Sequence, residues 1–424
     1  MTPAALDRLG ACPACDTVYL RTEIAPGASA HCLRCGSRLY TRSRFSPSQM
    51  LALVLGALIL GGIANTTPIV EIQFRGLASS TTLIGAIVLL VEEGEPLVGM
   101  LAALTTVVFP VLDLGLLAAV LLGWSRGERP VWFAPALRLI LALRPWGMVE
   151  VFMLGVLVAL VKLSAQTQIL PGPALWAFAA LTVLLVPILT FDPRFLWNRA
   201  GEAGASSSGE AAPSPQAPPA LVSARAAGLV ACETCGQLHP RAHVGPCTRC
   251  HAPIHPRKPA SLQRVGALLL GAVILYVPAN LLPVMQTTTL KGEKRDTILS
   301  GVVYFWETGS PELAILIFSV SVLIPLVKMA ALAFLITSTH RRWAGRRHTR
   351  LRLFALVDAI GRWSMLDVFV VTLMVGLVRF QALARIEAGP GAAAFGAVVI
   401  LTMLAVHSFD PRLMWDPDET DHGP

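Results

Sequence analysis

Long uninterrupted apolar runs dominate the chain, with little of the alternation that marks half-buried strands or surface helices. Runs of bilayer length occur at about residues 50–70, 97–122, 147–168, 174–191, 264–285, 313–337, 363–384 and 392–409. A helix needs about 20 apolar residues to cross the hydrocarbon core, so these runs predict eight transmembrane helices. A further apolar stretch, residues 81–96, is too short and ends in acids, which predicts an interfacial helix on the far membrane face. The pattern breaks twice. Residues 1–45 are polar and cysteine-bearing, as are 229–258, and residues 200–228 are mostly Ala, Gly, Ser and Pro. The expected organisation is a ribbon at 1–45, a four-helix module at 46–199, a disordered linker at 200–228, a second ribbon at 229–258, a second four-helix module at 259–416 and a tail at 417–424. The predicted fold is thus an all-α polytopic membrane protein of two tandem modules, each preceded by a small β-rich domain.

Composition agrees. Among 424 residues, 54% are hydrophobic and 14% charged, with a mean hydropathy of +0.63, well beyond a soluble globule of this size. A formal charge of +8 would suggest nucleic acid in a soluble protein, but here the arginines gather in loops between apolar runs. Arg126, Arg129, Arg138 and Arg144 mark one such loop, and residues 340–352 hold six arginines. The positive-inside rule therefore predicts that both loops, both termini and the linker are cytoplasmic. Lys291, Lys294 and Arg295 argue the other way, since the model puts their loop outside. The first residues lack a basic region leading into an apolar one, so no signal peptide is expected.

The cysteines form two sets. Cys12-x2-Cys15 and Cys32-x2-Cys35 are separated by sixteen residues, Cys232-x2-Cys235 and Cys247-x2-Cys250 by eleven. Two knuckles of paired thiolates supply four soft ligands for one tetrahedral ion, so each set predicts a metal-binding ribbon. Domains this small bury little core and would depend on the metal. Zinc is expected ahead of iron, although four thiolates alone do not separate them. Disulfides are the alternative, disfavoured in a reducing cytoplasm. With four thiolates present, His239, His243, His251 and His255 are read as non-ligands.

Charges inside the apolar runs are the other signal. An ammonium in hydrocarbon costs at least about 2.5 kcal/mol on insertion scales, so Lys328 calls for a partner or a wet cavity. Ser321, Pro325 and Lys328 stand at i, i+4 and i+7 on one helix face, and Pro325 cannot donate to the Ser321 carbonyl. Asp367, Ser364 and Thr402 are expected to complete a polar cluster with Lys328 and Ser321, with Lys328 meeting Asp367. Asp113 and Glu150 are the intramembrane acids of the first half. Such groups suit a proton relay; no phosphate-binding loop, nucleophile triad or dinucleotide fingerprint is present, and no enzymatic activity is expected.

An internal repeat covers nearly the whole chain. Asn65-x2-Pro68 recurs as Asn280-x2-Pro283, Glu92-x-Gly94-x-Pro96 as Glu307-x-Gly309-x-Pro311, and Pro110 as Pro325, all at an offset of 215. Trp146-x-Met148-x-Glu150-Val151-Phe152 matches Trp363-x-Met365-x-Asp367-Val368-Phe369, and Phe191-Asp192-Pro193-Arg194-x2-Trp197 matches Phe409-Asp410-Pro411-Arg412-x2-Trp415. An even number of spans per half makes the repeat parallel. The halves differ in charge: Asp113 aligns with Lys328, and Glu150 with Asp367.

These doubled motifs resemble the paraquat-inducible protein A family in its tandem two-ribbon form. The resemblance implies an inner-membrane partner of periplasmic MCE-domain proteins, which form tunnels for lipid between the two membranes. The expected function is to load or extract membrane lipid and pass it to that partner. Two rivals remain open at this point: a membrane scaffold whose ribbons recruit a cytoplasmic partner, and an electron carrier with iron in the ribbons.

Overall fold

The computed structural model describes residues 6, 8–74, 77–92, 94, 96–126, 130–164, 168–197, 222–289, 292–307, 309, 311–343, 345–366, 369–370, 372, 379–380 and 384–416. The first ribbon is two antiparallel hairpins, β1 (Leu9–Ala11) with β2 (Val18–Leu20) and β3 (Ser29–His31) with β4 (Arg38–Thr41). Helix α1 (Pro47–Thr66) starts where Ser46 accepts from the Gln49 amide while the Gln49 side chain accepts from Ser46, and Pro47 occupies the first turn. It stops at the Asn65 motif: Asn65 Nδ2 donates to the Gly61 carbonyl, and Pro68 sends the chain into an extended segment. Asn280 makes the same bond to Tyr276 in the second half, which explains the repeated motif.

The first module continues through β5 (Val70–Phe74), β6 (Leu77–Thr81), α2 (Leu83–Glu92), α3 (Pro96–Ser125), α4 (Phe133–Leu143), α5 (Val149–Ser164), β7 (Gln168–Pro171) and α6 (Pro173–Thr190). After the second ribbon, with β8 (Leu229–Ala231) and β9 (Leu238–Pro240), the second module repeats it. Its elements are α7 (Ser261–Leu281), β10 (Met285–Thr289), β11 (Gly292–Asp296), α8 (Ile298–Glu307), α9 (a continuous run of Pro311–Phe318, Ser319–Leu323 and Ile324–His340), α10 (Arg347–Gly361), β12 (Arg379–Phe380), β13 (Ala384–Ala388) and α11 (Pro390–Ser408).

Among the described residues, seven helical runs are long and apolar enough to span a membrane. The eighth, expected over 363–384, lies largely outside the described residues. Helix α2, with ten residues, is too short to cross, in keeping with an interfacial reading, and α8 is its counterpart. The segment expected as a loop at 126–144 contains α4 instead. Phe133, Ala136, Leu137 and Ile140 recur at helical spacing and are buried, while the arginines had suggested only topology.

The small sheets at the helix ends opposite the ribbons were not expected from the sequence. One has the order β6-β5-β7, the other β11-β10-β13-β12, and β12 adjoins β6. Their strands are short and read as polar loop, and their pairing joins segments far apart in the chain: Val70 pairs with Pro171 and Met285 with Ala388. Close packing there demands glycine. A Cβ at Gly172 would stand 2.2 Å from the Pro68 carbonyl oxygen, and one at Gly389 2.3 Å from that of Pro283.

The two modules meet at equivalent positions of their repeated motifs. Equivalent residues Phe152 and Phe369 pack edge to face with centroids 5.7 Å apart, and Gly155 of α5 lies against Phe369. At the other end the ribbons cross over. The first ribbon's Cys12, Cys15 and Cys32 share a core with Phe409, Met414 and Trp415 of the second module, and Arg34 stacks over Trp415. The second ribbon faces the first module, with Arg138 donating to the His251 carbonyl and Arg194 to that of Glu233. Of the linker expected over 200–228, residues 200–221 lie outside the described residues; Val222 and Ala224 hydrogen-bond to Val18 and Asp16 of the first ribbon.

Candidate functional site

Each ribbon brings four cysteine sulfurs within 4.8 Å of one another, buried except for the half-buried Cys35, and all eight cysteines are free thiols. Neighbouring sulfurs lie at 3.6 Å for Cys12–Cys35 and Cys15–Cys32, and at 3.5 Å for Cys232–Cys250 and Cys235–Cys247. A zinc–sulfur bond of about 2.3 Å in a tetrahedron requires edges of about 3.8 Å, so both donor sets fit one ion. A hydrogen bond with Cys15 brings the Cys12 thiol down to about 5 against the opposing effect of burial, and one with Cys235 brings Cys232 down to about 7. Cys15 and Cys235 are pushed up in return. Among the histidines, His239 is buried and its Nε2 lies 3.3 Å from Cys247 Sγ, so it supports a sulfur rather than replacing one.

Around the second ribbon, the arginines of both repeated end motifs converge on Glu233, inside the Cys232-x2-Cys235 knuckle. Arg194 Nη2 donates to its carbonyl at 3.0 Å, and Arg412 Nη2 donates to its carboxylate and, at 2.8 Å, to Asp410. Burial works to raise the Asp410 carboxyl, but the Arg412 hydrogen bonds and charge hold it below its ordinary value. Arg257 similarly ties Asp16 of the first ribbon, at 2.9 Å, to Asp416. A cavity of about 980 Å³ lies between the ribbons and the helix ends, reached by Arg194, Arg412 and Asp358.

In the first half Asp113 has a basic neighbour. Its Oδ1 lies 3.6 Å from Arg144 Nε, and both side chains are largely buried. Arg144 was read as a loop residue; it lies on a single 3-10 turn joining α4 to α5 and also donates to the carbonyls of Phe191 and Ile188 at the end of α6. Glu150 opens α5 and is half-buried.

In the second half Lys328 is 2% exposed, and its Nζ has no hydrogen-bond partner among the described residues. It faces α10, where it lies against Gly361, and the charge of Asp358 acts on it. Asp367 lies outside the described residues, as does the side chain of Ser364. Thr402 is buried and donates to its own helix at Val399. Ser321 is 1% exposed and its Oγ lacks a partner among the described residues. Its first-half counterpart, Thr106, donates to Ala102 at 2.6 Å.

Both positions stand in single π-helical turns, Leu104–Val108 and Ser319–Leu323, just ahead of Pro110 and Pro325. Each proline withholds a donor and its ring crowds the preceding turn, which favours the wider helix. In the first half Met148 N donates to the Thr105 carbonyl in this turn. In the second, Ser321 is reached by an apolar crevice of about 110 Å³ between α9, α11 and the first module's Val158; Met285 and Thr297 line it from the sheet side.

The family model described as paraquat-inducible protein A matches residues 48–201 and 262–418. Over 420 residues the chain is 34% identical to the intermembrane transport protein PqiA of Escherichia coli (strain K12), covering 97% of this chain and 96% of that one. It is 30% identical over 412 residues to the lipophilic envelope-spanning tunnel protein A of the same strain, covering 96% and 91%. A probable intermembrane transport protein of Haemophilus influenzae is 37% identical over 169 residues, 40% of this chain and 41% of that one. No solved structure matches the chain.

Proposed function

Because the chain belongs to the paraquat-inducible protein A family, we propose that it is the integral inner-membrane component of an envelope lipid transport system. It loads or extracts phospholipid and exchanges it with a periplasmic MCE-domain tunnel protein. The names of its relatives, an intermembrane transport protein and an envelope-spanning tunnel protein, support that role. The ribbons and both termini face the cytoplasm and the sheets face the periplasm.

The observation that carries the reading is the apolar crevice ending at Ser321. Residues at the sheet end line it, its apolar walls suit a few methylenes of an acyl chain, and the hydroxyl at its depth, without a partner among the described residues, shares a helix face with Lys328. Ser321, Lys328, Ser364, Asp367 and Thr402 form the working cluster of the second module, while Asp113 and Glu150 serve the first. A proton exchanged between Lys328 and Asp367 as the helices shift would couple lipid movement to protonation, in a chain without a nucleotide-binding loop.

Each ribbon binds one zinc ion, held by Cys12, Cys15, Cys32 and Cys35 or by Cys232, Cys235, Cys247 and Cys250. Bound zinc supplies structural cross-linking, and no chemistry of transport is assigned to it. Lipid extracted from the purified protein and identified by mass spectrometry tests the reading. Phospholipid retained by the native chain and lost from Val320→Trp, which fills the crevice, is the expected result. Equal retention by both would remove the crevice as the site.

A further inference from the structure

Aligning the halves on their Trp146 and Trp363 motifs places Arg144 opposite Gly361, as Asp113 stands opposite Lys328. In the first module the pair is complete, acid on α3 and base beside α4. In the second the base has moved to α9, and the position that carried the first module's guanidinium has no side chain at all. The Lys328 side chain occupies that space: a Cβ built on Gly361 would stand 3.1 Å from Nζ and 3.5 Å from Cε. Around the ammonium, α10 contributes Gly361 and the exposed carboxylate of Asp358, and no hydrogen-bond acceptor reaches Nζ among the described residues.

We infer that Gly361 is a positioning residue for Lys328: by having no side chain it seats the ammonium inside the second module with no hydrogen-bonded partner among the described residues, which makes this module the working half. The inference rests on the reading of Lys328 as the working group. A charge that already faces an opposite one inside its own module, as Asp113 faces Arg144 at 3.6 Å, has its compensation at hand. A buried charge without a hydrogen-bonded partner among the described residues stays available to a transient partner, whether a carboxylate or a lipid phosphate. Gly361 also allows a clean perturbation. The atoms an alanine would meet are the far end of a flexible side chain, so the ammonium shifts while the helices keep their places.

The test compares full-length native chain, Lys328→Ala, Gly361→Ala, Lys328→Asp and the double variant Lys328→Asp with Gly361→Arg, which copies the first module's pair. They are expressed in a Gram-negative strain lacking its own relatives of this chain. Membrane abundance, metal content and survival on detergent plates are measured for each. Gly361→Ala and the double variant are expected at near-native abundance and metal content, with survival at least tenfold down. Lys328→Asp alone accumulates poorly and is rescued in abundance, not in function, by Gly361→Arg. A fully active double variant overturns the inference, because a merely structural role is satisfied by any well-formed pair. So does a fully active Gly361→Ala when Lys328→Ala is inactive, and so does failure of Gly361→Ala to accumulate, which would make Gly361 a packing residue. An active Lys328→Ala instead removes the underlying reading of Lys328.

Discussion

Buried charge shows most clearly how this chain uses single residues. Asp113 and Arg144 are paired, and Arg144 also satisfies two carbonyls at the end of α6. Removing the arginine strands the acid and takes a donor from the Phe191 carbonyl, while Ile188 keeps the Phe191 amide; Asp113→Asn leaves Arg144 its carbonyl acceptors. Arg144→Ala is therefore expected to cost about 3 kcal/mol or more and Asp113→Asn distinctly less, read as thermal unfolding in detergent and as membrane abundance. Lys328→Ala, by contrast, removes a charge without a hydrogen-bond partner among the described residues and replaces it with an apolar group. The protein should insert and keep its metal while failing to support outer-membrane integrity, as should Asp367→Asn. In the second ribbon, His239→Ala removes the group beside Cys247, so metal affinity there should fall about 10- to 100-fold in chelator competition. Unchanged metal retention would show that His239 merely fills space.

Among the elements, the joint between each first helix and the sheet beneath it is the most constrained. Asn65 and Asn280 close their helices by the same backbone bond, and Gly172 and Gly389 let the last helix of each module begin against the Pro68 and Pro283 carbonyls. A methyl at 2.2 or 2.3 Å from a backbone oxygen cannot be absorbed by rotating a side chain. Gly389→Ala should shift the start of α11 and lower the amount of inserted protein, at a cost on the order of 1–3 kcal/mol. Normal accumulation would mean that β13 and α11 slide freely. The π turns before Pro110 and Pro325 are shared as well, yet the second presents to the crevice a hydroxyl, that of Ser321, which has no partner among the described residues, whereas Thr106 donates to Ala102.

For the whole molecule, the crossing of ribbons and modules carries the largest consequence. A metal held by the second ribbon would order the Glu233 knuckle that receives Arg194 of the first module and Arg412 of the second, while the first ribbon caps Trp415. Cys235→Ser should then raise hydrogen exchange at residues 133–146 and 191–197, and Cys15→Ser should raise it at 405–416. If Cys235→Ser leaves residues 133–146 and 191–197 as protected as in the native chain, the crossing does not survive in the membrane. Elemental analysis should find two zinc ions in the native chain, and fewer than one in undamaged protein would exclude the ribbon assignment.

The sequence by itself determined the membrane class, the two four-cysteine sites and the repeat, because each rests on local chemistry: apolar length, ligand spacing and motifs at a constant offset. It also singled out Lys328 and Ser321, since a charge or hydroxyl in a long apolar run is conspicuous wherever it finally points. The polar strands at the sheet end escaped notice because their pairing joins segments about a hundred residues apart, from β5 to β7 and from β10 to β13. Arg144 escaped for the opposite reason: an arginine near a helix end reads as a topology signal, and only packing turned it toward Asp113. Gly361 carries no chemistry to notice, and its meaning is the space it leaves for Lys328. Which ribbon sits beneath which module was likewise decided by tertiary structure, because both ribbons carry the same four-cysteine ligand set.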